Sequence, residues 1–405
     1  MADYLGLPKD LFSDILSQLP SKIIIRCRSV CKSWFTLVST REFRLLHLKK
    51  YNQSNPRFIM RRYDLMDDRE MYSVHLDNLA LTVDHTIIEF PFSCTPCTNE
   101  YLKIIGCIHG VLCLRHEKCN YIEEKIILWN PSIRKNLTIS PPKIRKSRMG
   151  NLFTALGFQY DKISDDYKVV RVAYNYRYSP RSRQPSRAYH VDIYSIKTAI
   201  WRTIPFPPDF NSVYIKGSPV LLNGCVHWIM DRSATCSCRL VTHRSILKFD
   251  ASAEVFTEIY LPKLLDNETP MHLELALYEE RLVLILYRRV KWPGTGASRP
   301  IRYIIWALND YGGNQNSWAV ICNMCNDRIE MGRVLQIRDN GKLIMGGRYG
   351  PLKELYHNVG YYDSQCGGFI VEDSIYIDKY QESLALWDVG YDVLRDDPRD
   401  EGLNE

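Results

Sequence analysis

Two patterns of apolar spacing divide the chain. From Leu7 to Lys50 apolar residues recur three and four positions apart, whereas beyond residue 57 they come in short, alternating or continuous runs. In the first stretch Pro8 suits an initial helical position, because its missing N–H would have no intrahelical partner there. The helix it opens puts Leu11, Ile15 and Leu19 on one stripe, with Phe12 and Leu16 on the flank. Pro20 ends that helix, and Ser21 is expected to cap a second over Lys22–Val30. A third carries Cys31, Trp34, Phe35 and Val38, and Thr40 is expected to cap a fourth over Arg41–Lys50. About 44 residues is near the lower limit for a self-sufficient core. Leu11, Ile15 and Trp34 are therefore expected to need cover from the rest of the chain or from a partner.

The second stretch reads as all-β: Phe58–Met60, Lys125–Trp129, Tyr167–Val172, Val191–Tyr194 and Leu282–Leu286 are strand-like, and no long helical period occurs. A strand that begins beside a turn recurs at Gly110, Tyr167, Gly224, Arg281 and Gly341, at offsets of 57, 57, 57 and 60 residues. A strand–turn–strand signature follows it, as in IILWNPSIRKNLTI, VDIYSIKTAIWRTI and ILKFDASAEVFTEI. Four strands per unit at a fixed period predict a β-propeller; a jelly roll or sandwich does not demand such a recurrence. The length predicts about six blades, one of them completed jointly by the strands after Phe58 and those within Gly368–Asp388. The fold class expected is α+β multidomain: helical residues 1–50, an all-β propeller over 51–395, and a flexible acidic tail over 396–405.

Particular residues then carry a resemblance. Leu7-Pro8, Asp10-Leu11, Ile15-Leu16, Leu19-Pro20, Arg26, Arg28 and Val30-Cys31-Lys32-Ser33-Trp34 resemble the F-box almost position by position, with Asp14 where glutamate is more usual. Leu128-Trp129-Asn130-Pro131-Ser132, Gly157-Phe158-Gln159-Tyr160-Asp161, Asp165-Asp166-Tyr167-Lys168-Val169-Val170, Leu222-Asn223-Gly224-Cys225-Val226-His227-Trp228 and Tyr380-Gln381-Glu382-Ser383-Leu384 resemble the plant F-box-associated domain, a kelch-like propeller, as found in S-locus F-box and related proteins. The resemblance implies that Leu7, Pro8, Leu11, Ile15, Leu16, Leu19, Pro20, Val30, Cys31 and Trp34 bind a Skp-type linker. Through it the chain would join a cullin–RING ubiquitin ligase as a non-catalytic substrate receptor, with the propeller holding an unidentified protein target. The alternatives are an F-box scaffold acting outside a ligase, and an S-locus role recognising a stylar ribonuclease.

Composition narrows the classes. Residues 1–50 carry +5 and the remaining 355 only +2, which argues against a general nucleic-acid binder and suits an acidic linker. No apolar run is long enough to span a bilayer, no secretory pattern opens the sequence, and thirteen cysteines without a disulfide framework are expected to be reduced thiols. A cytoplasmic or nuclear location is expected; Lys143–Arg148 has the composition of an import signal, although such runs are more often plain loops. Cys94-x-x-Cys97 and Cys322-x-x-Cys325 have zinc-like spacing but lie too far apart to pair, so no metal or cofactor is expected. His227 reads as a core histidine bonded to a neighbouring blade, and no nucleophile elbow, P-loop or dinucleotide fingerprint occurs.

The loops offer more. In each unit the strand at the recurring phase leads into a long connection, and equal phase means one face of a propeller. Residues 174–188 hold four arginines and 288–302 five cations, neither with an acid. The target site expected there comprises Tyr176, Arg177, Tyr178, Arg181, Arg183, Arg187, Arg288, Arg289, Lys291 and Trp292. Such a face suits an acidic or phosphorylated segment, and suits a basic ribonuclease poorly.

Overall fold

The computed structural model describes residues 7–64, 69–77, 85–89, 101–117, 124–144, 151–177, 186–210, 213–236, 239–265, 272–289, 301–311, 317–326, 331–338, 341, 343–347, 353–355 and 375–386. Helices α1 (Lys9–Ser17), α2 (Ser21–Cys27), α3 (Lys32–Ser39) and α4 (Arg41–Ser54) form the first module. Pro8 stands at the cap of α1, and the Thr40 hydroxyl caps α4 by accepting from the Phe43 amide at 3.2 Å. Ser21 does not cap α2. Pro20 occupies the cap position, and the Ser21 amide is taken instead by Glu382, 361 residues away. Helix α2 also stops at Cys27, while α4 runs past Lys50 to Ser54 because His47 and Tyr51 stack along its buried side, ring centroids 5.6 Å apart.

Both stripes of α1 are apolar, so spacing alone does not say which faces inward. Phe12 and Leu16 do, joining Ile24, Leu37, Val38 and Phe43, with Leu19 and Trp34 packed against them; the Phe12 and Trp34 rings are 4.8 Å apart.

Six sheets follow. Blade 1 contains β1 (Arg57–Asp64), β2 (Arg69–Leu76) and β3 (His85–Ile88). Blade 2 is β4 (Tyr101–Ile108), β5 (Val111–Glu117), β6 (Lys125–Asn130) and β7 (Lys135–Ile139); blade 3 is β8 (Asn151–Asp161), β9 (Asp166–Arg177), β10 (Ser186–Ser195) and β11 (Ile200–Ile204). Blade 4 is β12 (Val213–Leu222), β13 (Cys225–Cys236), β14 (Arg239–Asp250) and β15 (Val255–Tyr260); blade 5 is β16 (His272–Tyr278), β17 (Arg281–Arg289), β18 (Ile301–Leu308) and β19 (Trp318–Asn326). Blade 6 has three strands among the described residues, β20 (Met331–Ile337), β21 (Leu343–Gly347) and β22 (Lys353–Leu355). The last strand, β23 (Ile375–Tyr380), returns to pair with β1 and becomes the innermost strand of blade 1. The innermost strands touch in a closed circuit, β23–β4–β8–β12–β16–β20 and back to β23. The fold is a six-bladed β-propeller closed by strands from both ends of the β region.

The 57-residue recurrence is the second strand of blades 2 to 6. It begins after a tight turn whose residues have positive φ: His109-Gly110, Asn223-Gly224 and Glu279-Glu280, as two-residue hairpin turns require. Blades lock to one another through side-chain hydrogen bonds, one buried and two at exposed edges. The Trp228 indole donates to the Leu156 carbonyl at 3.0 Å, and Trp201 and Trp318, near the start of outer strands, donate to Ser140 and Tyr260 of the preceding blades at 3.0 and 2.9 Å. His227 is buried, with Nδ1 3.2 Å from the Val220 carbonyl and Nε2 against the Tyr311 hydroxyl of blade 5. Burial pushes its pKa down to about 4, so it is a neutral cross-blade link.

Candidate interaction surfaces

In an antiparallel four-stranded sheet the first and third connections lie at one end and the second at the other, so the propeller has two unlike rims. The helical module sits on the rim of first and third turns. Helix α2 meets the third turn of blade 2, Pro131–Ile133, and Arg41 of α4 pairs with Asp165 in the first turn of blade 3 at 3.0 Å. Leu48, Lys49, Asn52 and Gln53 of α4 stand at the mouth of the central channel, a space of about 940 Å³.

Between module and propeller runs the strap Gln381–Leu386. Asn130 donates its side-chain amide to the carbonyls of Ser383 (3.1 Å) and Ala385 (2.9 Å), and the Ser132 and Tyr380 hydroxyls are 2.6 Å apart. The two segments that carried the resemblance at Leu128–Ser132 and Tyr380–Leu384 thus hold each other. On its other side the strap grips the helices: Leu384 enters their core, Ser21 donates to the Glu382 carboxylate at 3.1 Å, and Arg57 pairs with the same carboxylate. Gly110 permits this path, because a Cβ there would lie 1.9 Å from the Gln381 carbonyl oxygen.

Locking the module this way leaves one face open. Leu11 (49 % exposed), Ile15 (46 %) and Val30 (61 %) face outward, with Leu7, Ile23 and Phe35 also exposed. Pro8 and Pro20 are at the surface, and Cys31 is half-buried. Of the ten residues expected to meet a linker, Leu16 is buried, and Leu19 and Trp34 are packed against the module's own core. Leu16 supports the surface from behind, while Leu19 and Trp34 are partly covered and partly open. Exposed Lys9, Lys22, Arg26 and Lys32 accompany the apolar face.

The opposite rim carries the second connections. Arg177 ends β9, and Tyr176 and Arg187 pair across the β9–β10 ladder. Arg288 is exposed and pairs with Arg302 across β17–β18, and Arg289 with Ile301. Tyr178, Arg181, Arg183, Lys291 and Trp292 lie outside the described residues, as do Cys94, Cys97 and the 396–405 tail. Blades 3 and 5, which bring these arginines, are separated by blade 4. Sequence reasoning passed over a group between them, Phe153, Tyr214 and Lys216, because single aromatic residues at strand starts carry no motif.

Deep charges serve blade contacts. Arg171 is buried and donates to Glu124 at 2.9 Å, to the Pro142 carbonyl at 3.0 Å and to Asp192 at 3.4 Å, tying blade 3 to blade 2. In the channel, burial pushes the Asp378 carboxyl up to about 6 against the hydrogen bond from Tyr376. Among the described residues no cluster of three metal-ligating side chains occurs, and no helix is long and apolar enough to cross a membrane.

A small helical module with an open apolar face is braced against a six-bladed propeller, the architecture of a helical docking module joined to a β-propeller. Residues 62–353 match the F-box associated beta propeller domain and residues 5–46 the F-box domain. The chain belongs to the plant F-box proteins that carry this propeller. It is 27 % identical over 274 residues to the F-box protein CPR1 of Arabidopsis thaliana, covering 64 % of this chain and 61 % of that protein. It is 25 % identical over 256 residues to the F-box/kelch-repeat protein At3g23880 of the same plant, covering 63 % and 65 %. The chain thus spans a little under two thirds of the length of these relatives. Among solved structures, a PL25 ulvan lyase aligns with a TM-score of 0.40 at 8 % identity, over 78 % of this chain and 70 % of that one.

Proposed function

We infer that this F-box protein is the substrate-recognition subunit of a Skp–cullin–F-box ubiquitin ligase. It contributes no bond chemistry of its own; it holds a target protein near the conjugating enzyme, so that a target lysine meets the thioester at high effective concentration. The observation that carries the reading is the outward stripe of Leu11 and Ile15 on a module whose other side is bolted to the propeller. Covering the exposed half of each side chain against a partner is worth about 1 kcal/mol or somewhat more, and the exposed cations beside them suit an acidic linker. The propeller rim remote from the module is left for the target. A cytoplasmic or nuclear location agrees with this role.

The test replaces Leu11 and Ile15 with aspartate in the full chain and measures capture of a Skp-type protein and a cullin. Loss of both, with the propeller still melting cooperatively, is the expected result. Capture at the wild-type level would remove the F-box surface from the mechanism. Retention of the linker without cullin by the wild-type chain would favour a scaffold acting outside a ligase.

A further inference from the structure

On the rim opposite the helical module, aromatic rings form a row between blades 3 and 4. Register across blade 3 aligns Phe153, Tyr174 and Tyr189. Phe153 stacks on Tyr174 with centroids 5.6 Å apart and meets Tyr214 of β12 edge-on at 5.3 Å. Two members of the row have a structural task. The buried Tyr174 hydroxyl accepts from the Ile215 amide at 3.2 Å, and the Tyr189 hydroxyl donates to the Val213 carbonyl at 2.8 Å. Both bonds brace blade 3 against the start of blade 4. Phe153 and Tyr214 make neither bond and remain partly exposed.

Charge gathers beside them. Asp231 stands opposite Tyr214 in the β12–β13 register, and its buried carboxylate receives both Lys216 and the Nε of Arg244, the latter at 3.0 Å. One carboxylate against two cations leaves positive charge in excess. Lys216 is 48 % exposed on its side chain, with its ammonium 5.3 Å from the Tyr214 ring centroid. The Tyr176 and Arg187 positions continue the same register two residues nearer the rim. An aromatic surface held rigid from beneath, with an oriented cation at its edge, can stack an apolar side chain and pair a carboxylate at once.

We propose that Phe153, Tyr214 and Lys216 form the anchor point of the propeller's target surface, and that its occupant is an acidic protein segment bearing an aromatic side chain. The inference rests on the receptor reading above and gives the target a chemistry. Charge complementarity selects this occupant: the excess cation is fixed at the platform, and the acid-free 174–188 connection leaves the same end of blade 3. Buried aromatic anchors ringed by polar contacts carry most of the energy in protein interfaces.

A random glutamate–tyrosine copolymer serves as the probe, titrated into the full chain by fluorescence anisotropy beside poly-glutamate and poly-lysine. Saturable binding of the copolymer, weaker binding of poly-glutamate and none of poly-lysine are expected. Tyr214→Ala and Lys216→Ser should each weaken the copolymer by about five-fold or more, about 1 kcal/mol, a loss that under a third of interface residues exceed on truncation. Tyr214→Phe should retain binding, as should Lys49→Ser on the opposite rim. No copolymer binding by the wild type, equal binding of poly-lysine, or unchanged affinity in both platform variants would overturn the assignment. Linker capture by the same preparations reads the receptor hypothesis separately, so the two can fail independently.

Discussion

Asn52 and Glu382 clasp each other twice: the Asn52 amide nitrogen donates to the Glu382 carbonyl at 3.0 Å, and its oxygen accepts from the Glu382 backbone amide at 2.8 Å. The Glu382 side chain meanwhile takes the Ser21 amide at the start of α2 and pairs with Arg57, which also donates to the Tyr51 hydroxyl at 3.0 Å. One residue of the strap therefore binds α2, α4 and the entry to β1. The helical module is not tethered by a flexible linker; its angle to the propeller is set by hydrogen bonds to the strap that directly continues β23 of blade 1.

Glu382→Ala should loosen that angle without unfolding either part. Hydrogen bonds to a charged group are worth about 1.5–3 kcal/mol, and the Arg57 side chain would keep Tyr51 but lose its carboxylate partner. Limited proteolysis is expected to cut near residues 50–57 in the variant and not in the wild type, while linker capture persists. Identical digestion patterns would show that the carboxylate does not hold the module.

Gly110→Ala is expected to be more damaging. Its φ of +71° is unfavourable for alanine by about 1–2 kcal/mol, and the new methyl would strike the Gln381 backbone. Gly224→Ala, with φ +74° but a nearest atom at 3.9 Å, isolates the conformational part of the cost. Urea midpoints of the two variants should differ, with Gly110→Ala the lower; equal midpoints would mean the strap yields freely.

Trp228→Phe removes the indole bond to Leu156 inside a fully buried blade contact. Leaving that carbonyl without its donor should cost about 1–3 kcal/mol. Trp318→Phe loses a bond of similar length, but at an exposed edge where water can replace the donor. A smaller fall in melting temperature is expected for Trp318→Phe, and the reverse order would contradict the role assigned to Trp228.

Acid should weaken the propeller in a defined window. His109 and His227 are both held neutral by burial, with pKa values lowered to about 4 from an ordinary 6.5. Above 6.5 both states of the chain leave these rings uncharged, so no stability is lost. Between about 6.5 and 4 the unfolded chain takes up protons that the folded chain refuses, and stability falls with pH. Thermal melts from pH 7.5 to 4.5 check this, and His227→Gln should flatten part of the slope.

Much of the architecture is written along the chain. The 57-residue recurrence is legible because the second strands of blades 2 to 6 follow tight turns with a positive-φ residue, which is glycine at 110, 224 and 341. The closure of blade 1 by strands from the two ends of the β region follows from counting. The helical motif could be read because its apolar positions and prolines are local. What periodicity could not decide is which apolar stripe of α1 faces in: Leu11 and Ile15 are as regular as Phe12 and Leu16, and only the ring of Trp34 and the side chain of Leu384, arriving from the far end of the β region, settle it. Likewise Ser21 has the residue type of a cap, yet its amide goes to Glu382. The aromatic row of Phe153, Tyr174, Tyr189 and Tyr214 exists only across strands and blades, because a propeller brings together residues 15 to 61 positions apart whose spacing follows no repeat. Sequence determines a period and a set of local turns, since those depend on neighbouring backbone; the partners of side chains depend on which blade stands beside which, and that is decided by the closed ring.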